Sequence, residues 1–142
     1  MAIKSINPYF MFNGTAEKAI KLYEIALGAT TRGIMRFGDT PGEEHCKTQA
    51  DRDRIMHATL EIDGSQIMLS DGMPGVPEPT DSNVHITLDF DDLADMTVKF
   101  DALAEGGKVT MALQDTFWGA RFGTLTDAFG IRWMFSHELK KS

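Results

Sequence analysis

The chain has 142 residues, 42% of them hydrophobic and 25% charged, which is typical of one globular domain and excludes a disordered or fibrous protein. Its net charge is −7 and its 14 basic residues are scattered, which argues against nucleic acid or an anionic membrane surface as a partner. No apolar run approaches a membrane span and the N-terminus lacks the apolar core of a signal peptide, so we expect a cytoplasmic protein. The single cysteine excludes an internal disulfide and a thiolate metal cluster.

The first half of the chain predicts a strand, a helix and three further strands. Pro8 suits the start of the first strand, and the turn at Asn13 and Gly14 leads into apolar residues at helical spacing over 16–27, which end at Gly28. A polar loop over 39–53 is long enough to be a lid, an edge feature or a poorly ordered segment. The predicted strands of this half are 7–12, 29–38, 55–62 and 66–71.

The second half repeats this order after a segment rich in proline and glycine. Asp91 and Asp92 are typical of a helix start, and the apolar stripe that follows them ends at Gly106 and Gly107. We therefore divide the single domain 1–142 into module one (1–72), a linker (73–82) and module two (83–142). The predicted strands of the second half are 84–90, 109–113, 120–126 and 131–137.

The two halves also match residue by residue. In the late hairpins Gly64 falls on Gly130, an offset of 66, whereas the early parts align at an offset of 78, and an insertion at 39–53 accounts for the difference. The sequence thus predicts an α+β fold made of two tandem βαβββ modules. The pairs at the larger offset include Phe12 with Phe90, Gly28 with Gly106 and Asn7 with His85.

Three short patterns keep a fixed order and spacing along nearly the whole chain. Each is weak alone, but their combination is fairly specific. They are Pro8-Tyr9-Phe10-x-Phe12-x-Gly14; His57-Ala58 with Gly64 and Met68-Leu69-Ser70-Asp71; and Phe117-Trp118-Gly119-x-Arg121 with Asp127-x-Phe129-Gly130-x-Arg132-Trp133.

With the doubled module, these patterns resemble the vicinal oxygen chelate superfamily, which includes glyoxalase I, extradiol dioxygenases and bleomycin resistance proteins. They are most similar to its PhnB-like branch, also called 3-demethylubiquinone 3-methyltransferase-like. The resemblance implies a glyoxalase-like fold, in which curved mixed sheets form a U-shaped cavity, and a homodimer. The methyltransferase label has no support in the chain, which lacks a Gly-rich loop after its first strand.

The resemblance also implies where a metal ion would bind, with one ligand from the first and one from the last strand of each module. These positions map onto Asn7, Met68, His85 and Met134, of which only His85 is a usual ligand. An amide and two thioethers bind zinc, nickel or iron(II) poorly, so we expect no metal and no other cofactor. The alternative is a rearranged site in which His57, Glu61 or Asp71 supplies replacement ligands.

Strand alternation gives the two histidines polar neighbours. His57 shares a strand face with Thr59 and Glu61, and His85 shares one with Thr87 and Asp89. Imidazole exchanges protons near neutral pH, so both are candidate acid-base residues, with Glu61 orienting His57. The alternative is that these are solvated strand faces, or that each histidine is hydrogen-bonded within the fold.

Trp118 and Arg121 form a second candidate group, because a planar guanidinium binds carboxylate or phosphate and an indole forms an amphipathic wall. Alternatively, Trp118 packs at a module or dimer interface and Arg121 pairs with Asp115 or Asp127.

Two hypotheses follow. The first is a protein that binds a small organic molecule in a metal-free cavity lined by methionine and aromatic side chains. The second is a lyase, isomerase or transferase that uses His57 or His85 for acid-base chemistry, with or without a rearranged metal site. The ligand-binding candidates are Asn7, Met68, Asp71, Trp118, Arg121 and Met134.

Overall fold

Two four-stranded mixed sheets organise the chain, one in each of two compact units, Met1–Thr80 and Asp81–Ser142. The computed structural model describes residues 2–139. The boundary between the units falls inside the predicted linker, and the predicted α+β class with two tandem modules is confirmed. None of the helices within residues 2–139 has the length and apolar character needed to cross a bilayer.

The first unit places its strands in the order β1-β4-β3-β2, with β1 parallel to β4 and the other pairs antiparallel. The helix α1 follows β1, as the spacing of apolar residues predicts. Every predicted element of this half is present, with ends that differ by a few residues. The elements are β1 (Tyr9–Met11), α1 (Ala16–Leu27), β2 (Thr30–Arg36), α2 (Gln49–Asp53), β3 (Ile55–Ile62) and β4 (Ser65–Ser70).

The segment predicted as a loop over 39–53 contains short helices. Two 3₁₀ turns, Phe37–Asp39 and Pro41–His45, precede α2. Threonines cap the later two elements, because Thr40 accepts a hydrogen bond from the backbone N–H of Gly42 and Thr48 accepts one from that of Asp51, both at 3.1 Å. A capping hydroxyl satisfies backbone N–H groups that a helix leaves unpaired at its start, which explains local order in so polar a segment.

Helix α1 buries one apolar stripe on the first sheet. The stripe includes Tyr23, which is fully buried and meets the ring of Phe10 edge-on at 6.2 Å. Gly28 ends the helix in the left-handed region, at φ 69°, where a side chain would be strained, and its N–H bonds to Tyr23 O. Each large side chain buried in this way contributes about 1.5–3 kcal/mol, so packing rather than helix propensity holds α1 in place.

Asp71 joins three parts of the first unit. Its Oδ1 accepts hydrogen bonds from the backbone N–H groups of Gly14 and Ala16, both at 2.9 Å, and its Oδ2 accepts one from Ile55 at 2.8 Å. The carboxylate is 2% exposed and lies at the N-terminus of α1, where a negative charge is favourable. Asp71 therefore ties the start of α1 to the start of β3.

We predict that Asp71→Ala lowers the free energy of unfolding by about 3 kcal/mol or more, because it leaves two buried N–H groups and one partly buried N–H group unpaired, at about 1–3 kcal/mol each. Urea denaturation followed by circular dichroism measures the change. Asp91→Ala is the matched control, since Asp91 is exposed, and it should shift the value by no more than about 0.5 kcal/mol. Equal effects of the two substitutions would contradict this role of Asp71.

The second unit repeats the strand order, as β5-β8-β7-β6, with β5 parallel to β8. Asp92 caps its helix α3 by accepting a hydrogen bond from Asp95 N at 3.1 Å. The helix packs on the sheet through Phe100, which meets Phe135 edge-on at 5.1 Å. The elements are β5 (Ile86–Phe90), α3 (Leu93–Leu103), β6 (Lys108–Asp115), β7 (Ala120–Thr126) and β8 (Arg132–Glu138).

Gly107 and Gly33 differ in the space available for an added side chain. A Cβ on Gly107 would lie 2.9 Å from Asp127 Cα and still closer to Thr126 O, and both are backbone atoms. We predict that Gly107→Ala destabilises the protein by about 1–3 kcal/mol, measured as a lower thermal midpoint. Gly33→Ala should cause no loss, because nothing lies within 4 Å of the added carbon and the backbone is not in the left-handed region. A harmless Gly107→Ala would contradict this close approach.

Candidate ligand-binding site

Helix α1 covers one face of the first sheet and leaves the other uncovered by that helix. On β3, Ala58 and Leu60 are fully buried toward the helix, so His57 and Thr59 project from the opposite side. The strand register brings residues of all four strands to that side. We call it the open face of sheet one, and its central residues are Tyr9, Met11, Met35, His57, Thr59 and Met68.

A hydrogen bond between Tyr9 and His57 lies at the centre of the open face. Tyr9 Oη is 2.9 Å from His57 Nδ1, and the ring centroids are 5.6 Å apart. Thr59 Oγ1 lies 3.3 Å from the other ring nitrogen, Nε2. The alternative that the histidine is hydrogen-bonded within the fold therefore applies to His57, although its ring stays partly exposed.

Partial burial raises the pKa of the Tyr9 phenol above its ordinary value, and a hydrogen bond with the Ser70 side chain acts in the opposite direction. The phenol thus keeps its proton at neutral pH. Sequence reasoning missed Tyr9, although Tyr9 lies in the first of the three patterns. The contact arises because β1 pairs in parallel with β4, which lies beside β3.

Glu61 does not contact His57. Its carboxylate pairs with Arg32 of β2 at 3.1 Å, and both side chains are about half exposed. We expected Glu61 to orient His57, but in the structure Tyr9 is the residue that contacts His57 Nδ1. A full positive charge on the neighbouring strand attracts the carboxylate more strongly than a neutral imidazole does.

Met68 and Met134 occupy equivalent register positions in the two sheets. Met68 lies between Tyr9 of β1 and Thr59 of β3. In the second sheet, Met134 lies in the same way between Thr87 of β5 and Thr124 of β7. Strand pairing therefore relates Met68 of β4 to Met134 of β8 at the predicted offset of 66, and Thr59 of β3 to Thr124 of β7 at an offset of 65. Met68 therefore lies on the open face of sheet one, whereas Met134 lies in the second sheet.

The four positions that the resemblance assigns to metal ligands do not fit a divalent ion. Asn7 donates its amide N–H to Ser5 Oγ at 2.9 Å, and His85 is exposed just before β5. Two of the four donors are thioethers, which are poor ligands for zinc or iron(II). Within residues 2–139, no group of three or more His, Cys, Asp or Glu side chains could hold a metal ion.

The side chains considered for a rearranged metal site are already engaged by other partners. Both oxygens of Asp71 accept backbone hydrogen bonds, the Glu61 carboxylate pairs with Arg32, and His57 Nδ1 bonds to Tyr9. A metal ion at these residues would compete with these partners. We therefore derive no chemistry through a metal.

Trp118 and Arg121 lie near each other in the sequence but make separate contacts. Trp118, in the turn between β6 and β7, meets the rings of Phe117 at 5.0 Å and Phe122 at 5.7 Å. Arg121 pairs with Asp115 at 3.1 Å, which is one of the partners considered from the sequence. Because Arg121 and Phe122 alternate along β7, they project from opposite faces of the strand. Phe122, which sequence reasoning missed, shares its face with Thr124.

The model of the glyoxalase/bleomycin resistance protein/dioxygenase superfamily matches residues 5–135. The chain belongs to this superfamily. Among superfamily relatives, protein YjdN of Escherichia coli is 37% identical over 138 residues, which cover 92% of this chain and 93% of YjdN. Protein Mb0911c of Mycobacterium bovis is 28% identical over 148 residues, covering 96% of this chain and 85% of the relative.

Solved structures share the fold of this chain. The crystal structure of PA1353 from Pseudomonas aeruginosa is 38% identical, covers 97% of this chain and 100% of its own, and superposes with a TM-score of 0.84. The PhnB protein from Bacillus cereus is 21% identical, with a TM-score of 0.77 and coverage of 94% and 99%. At that identity the second match shows the fold alone, and it agrees with the PhnB-like resemblance seen in the sequence.

The ionisation of Tyr9 is directly measurable. We predict that its phenol ionises above pH 10, the ordinary range for tyrosine, in an ultraviolet absorbance titration. A raised pKa in the folded state means that the associated stability is fully present below about pH 10 and is lost as pH rises through the folded value. Tyr9→Phe should remove this transition, which assigns it to Tyr9. A Tyr9 transition at or below pH 10 would contradict the burial argument.

Proposed function

We propose that the protein binds a small organic molecule on the open face of sheet one, without a metal ion. The observation that carries the proposal is the Tyr9–His57 pair, which places hydrogen-bonding groups among three methionine side chains. Tyr9, Met11 and Met35 are 43%, 37% and 47% exposed. An apolar surface with a few fixed polar groups is the usual character of a small-molecule site.

The methionine side chains would allow the site to accommodate ligands of different shapes. Thioether side chains are unbranched and polarizable, so they adapt to flat or irregular organic surfaces. Met35 lies directly opposite His57 on the neighbouring strand, and Met68 lies directly opposite Thr59. The polar centre of the open face is therefore bordered by thioethers on both sides.

A specific observation also favours an enzyme that uses acid-base chemistry. The hydrogen bond between the Tyr9 phenol and the His57 imidazole gives a proton path between the two residues. His85 makes no comparable contact within residues 2–139, so the candidate acid-base residue is His57. The enzyme hypothesis thus involves the same residues as the binding hypothesis. The two differ only in whether the bound molecule is chemically converted.

A thermal-shift screen of neutral, anionic and cationic organic compounds tests the proposal, followed by calorimetry on any hit. We expect His57→Leu to weaken binding at least tenfold, a loss of about 1.4 kcal/mol. His85→Leu is the matched control, since His85 is exposed in the second unit, and it should leave the affinity unchanged.

Two further measurements separate the outcomes. Elemental analysis of the purified protein should find no stoichiometric metal, and a metal lost on His85→Ala would overturn the metal-free claim. Mass spectrometry of the hit after incubation decides between binding and turnover. Affinity that is equal in His57→Leu and in the unchanged protein would remove the open face of sheet one as the site.

A further inference from the structure

The contacts of the His57 ring determine which of its nitrogens carries the proton. A neutral imidazole has one N–H donor and one acceptor nitrogen. Tyr9 Oη lies 2.9 Å from Nδ1, and Thr59 Oγ1 lies 3.3 Å from Nε2. Both partners are hydroxyl groups, so geometry alone permits either tautomer.

The state of the phenol resolves this choice. A protonated Tyr9 is the stronger donor of the two hydroxyl groups, and its 2.9 Å contact is the shorter one. Its O–H therefore donates to Nδ1, which leaves the ring proton on Nε2. The raised pKa of Tyr9 agrees with this direction, since the phenol holds its proton across the neutral range.

Nε2–H and the Thr59 hydroxyl then lie side by side on the open face of sheet one. The Thr59 hydroxyl can accept weakly from Nε2–H while its own hydrogen points elsewhere. At 3.3 Å this contact is long for a hydrogen bond to nitrogen, so a better acceptor can replace it. The pair thus presents two donors to a ligand.

The charges nearby select the kind of acceptor. Glu61 projects from the same side of β3 as Thr59, two residues further on, and its carboxylate is about half exposed. The nearby cation, Arg32, is already paired with Glu61 at 3.1 Å. Among residues 2–139, no unpaired cation near His57 and Thr59 would attract an anionic ligand, which would also meet the Glu61 carboxylate, whereas a neutral carbonyl oxygen carries no such cost.

We infer that Tyr9 holds His57 as the Nε2–H tautomer, and that Nε2–H and the Thr59 hydroxyl bind the carbonyl oxygen of a neutral organic ligand. Tyr9 is thus a positioning residue, and the methionines of the open face contact the apolar body of the ligand. The second half of this inference rests on the proposed function, whereas the tautomer is a property of the protein without ligand.

Nitrogen-15 NMR of the imidazole rings tests the tautomer in the full chain. We expect His57 to show Nε2–H almost alone. His137 is an internal reference for the opposite tautomer, because its Nδ1 lies 2.8 Å from the carbonyl oxygen of Phe90, which can only accept. His85, which is exposed, should show the mixture seen in solvent. In Tyr9→Phe, the His57 pattern should move toward that of His85.

Two results would overturn this assignment of the tautomer. One is an Nδ1–H signal for His57 like that of His137. The other is a His57 pattern that Tyr9→Phe leaves unchanged, which would show that the phenol does not position the ring. Tyr9→Phe keeps the aromatic ring and its packing, so loss of fold does not confuse the result.

The ligand class is tested with acetophenone, a neutral ketone, and benzoate, an anion with the same ring. We expect acetophenone to shift the His57 Nε2 resonance and to bind at least tenfold more tightly than benzoate. Thr59→Val, which keeps the side-chain shape, should weaken acetophenone binding severalfold. Thr87→Val is the matched control on a strand of the second sheet and should have no effect.

The outcomes distinguish this inference from the proposed function. If neutral ketones of the screen bind but Thr59→Val has no effect, or if benzoate binds more tightly, the donor pair is overturned and the proposed function stands. If no compound of any charge binds, the proposed function is wrong, and so is the inference that Nε2–H and the Thr59 hydroxyl bind a carbonyl oxygen. The tautomer of His57 is then still decided by the NMR of the ligand-free protein.

Discussion

The buried carboxylate of Asp71 is the constraint on which the first unit depends. It follows β4 in the chain and accepts hydrogen bonds from backbone N–H groups at the start of β3 and around the start of α1, so one side chain aligns three separate segments. A buried charge is tolerated only when hydrogen bonds replace its lost hydration, and here backbone groups provide them. Because α1 is fixed on one face of the sheet, the other face is left for Tyr9 and His57.

The two units share a strand order but differ in what their sheets present. Met68 and Met134 hold the same register, with Thr59 and Thr124 beside them on the next strand. Two residues earlier on those strands lie His57 and Phe122, and the edge strands place Tyr9 in one sheet where Thr87 lies in the other. The first unit therefore carries a polar pair, whereas the second carries an aromatic contact between Phe122 and Trp118.

Much of the fold follows from local patterns. The helix over 16–27 and the strand over 55–62 were predicted at the bounds observed, because apolar spacing and strand alternation are properties of neighbouring residues. The contacts of the site are harder to predict from the sequence, because they depend on which strands pair. Alternation alone placed Glu61 on the same side as His57, but Arg32 of β2 pairs with Glu61, and Tyr9 of β1 contacts His57.

Under the proposed function, Met68 lies at a position that the resemblance assigns to a metal ligand, and a thioether there changes what can orient a small molecule. A bound metal ion fixes its ligand through directional coordination, and methionine side chains supply contact area without such direction. Orientation must then come from hydrogen bonds, and the open face of sheet one concentrates them at His57 and Thr59. A site with one hydrogen-bonded pair among flexible apolar side chains selects strongly for the ligand's hydrogen-bond acceptor. It selects weakly for the shape of the rest of the ligand. Such a site therefore suits a family of related compounds better than a single one.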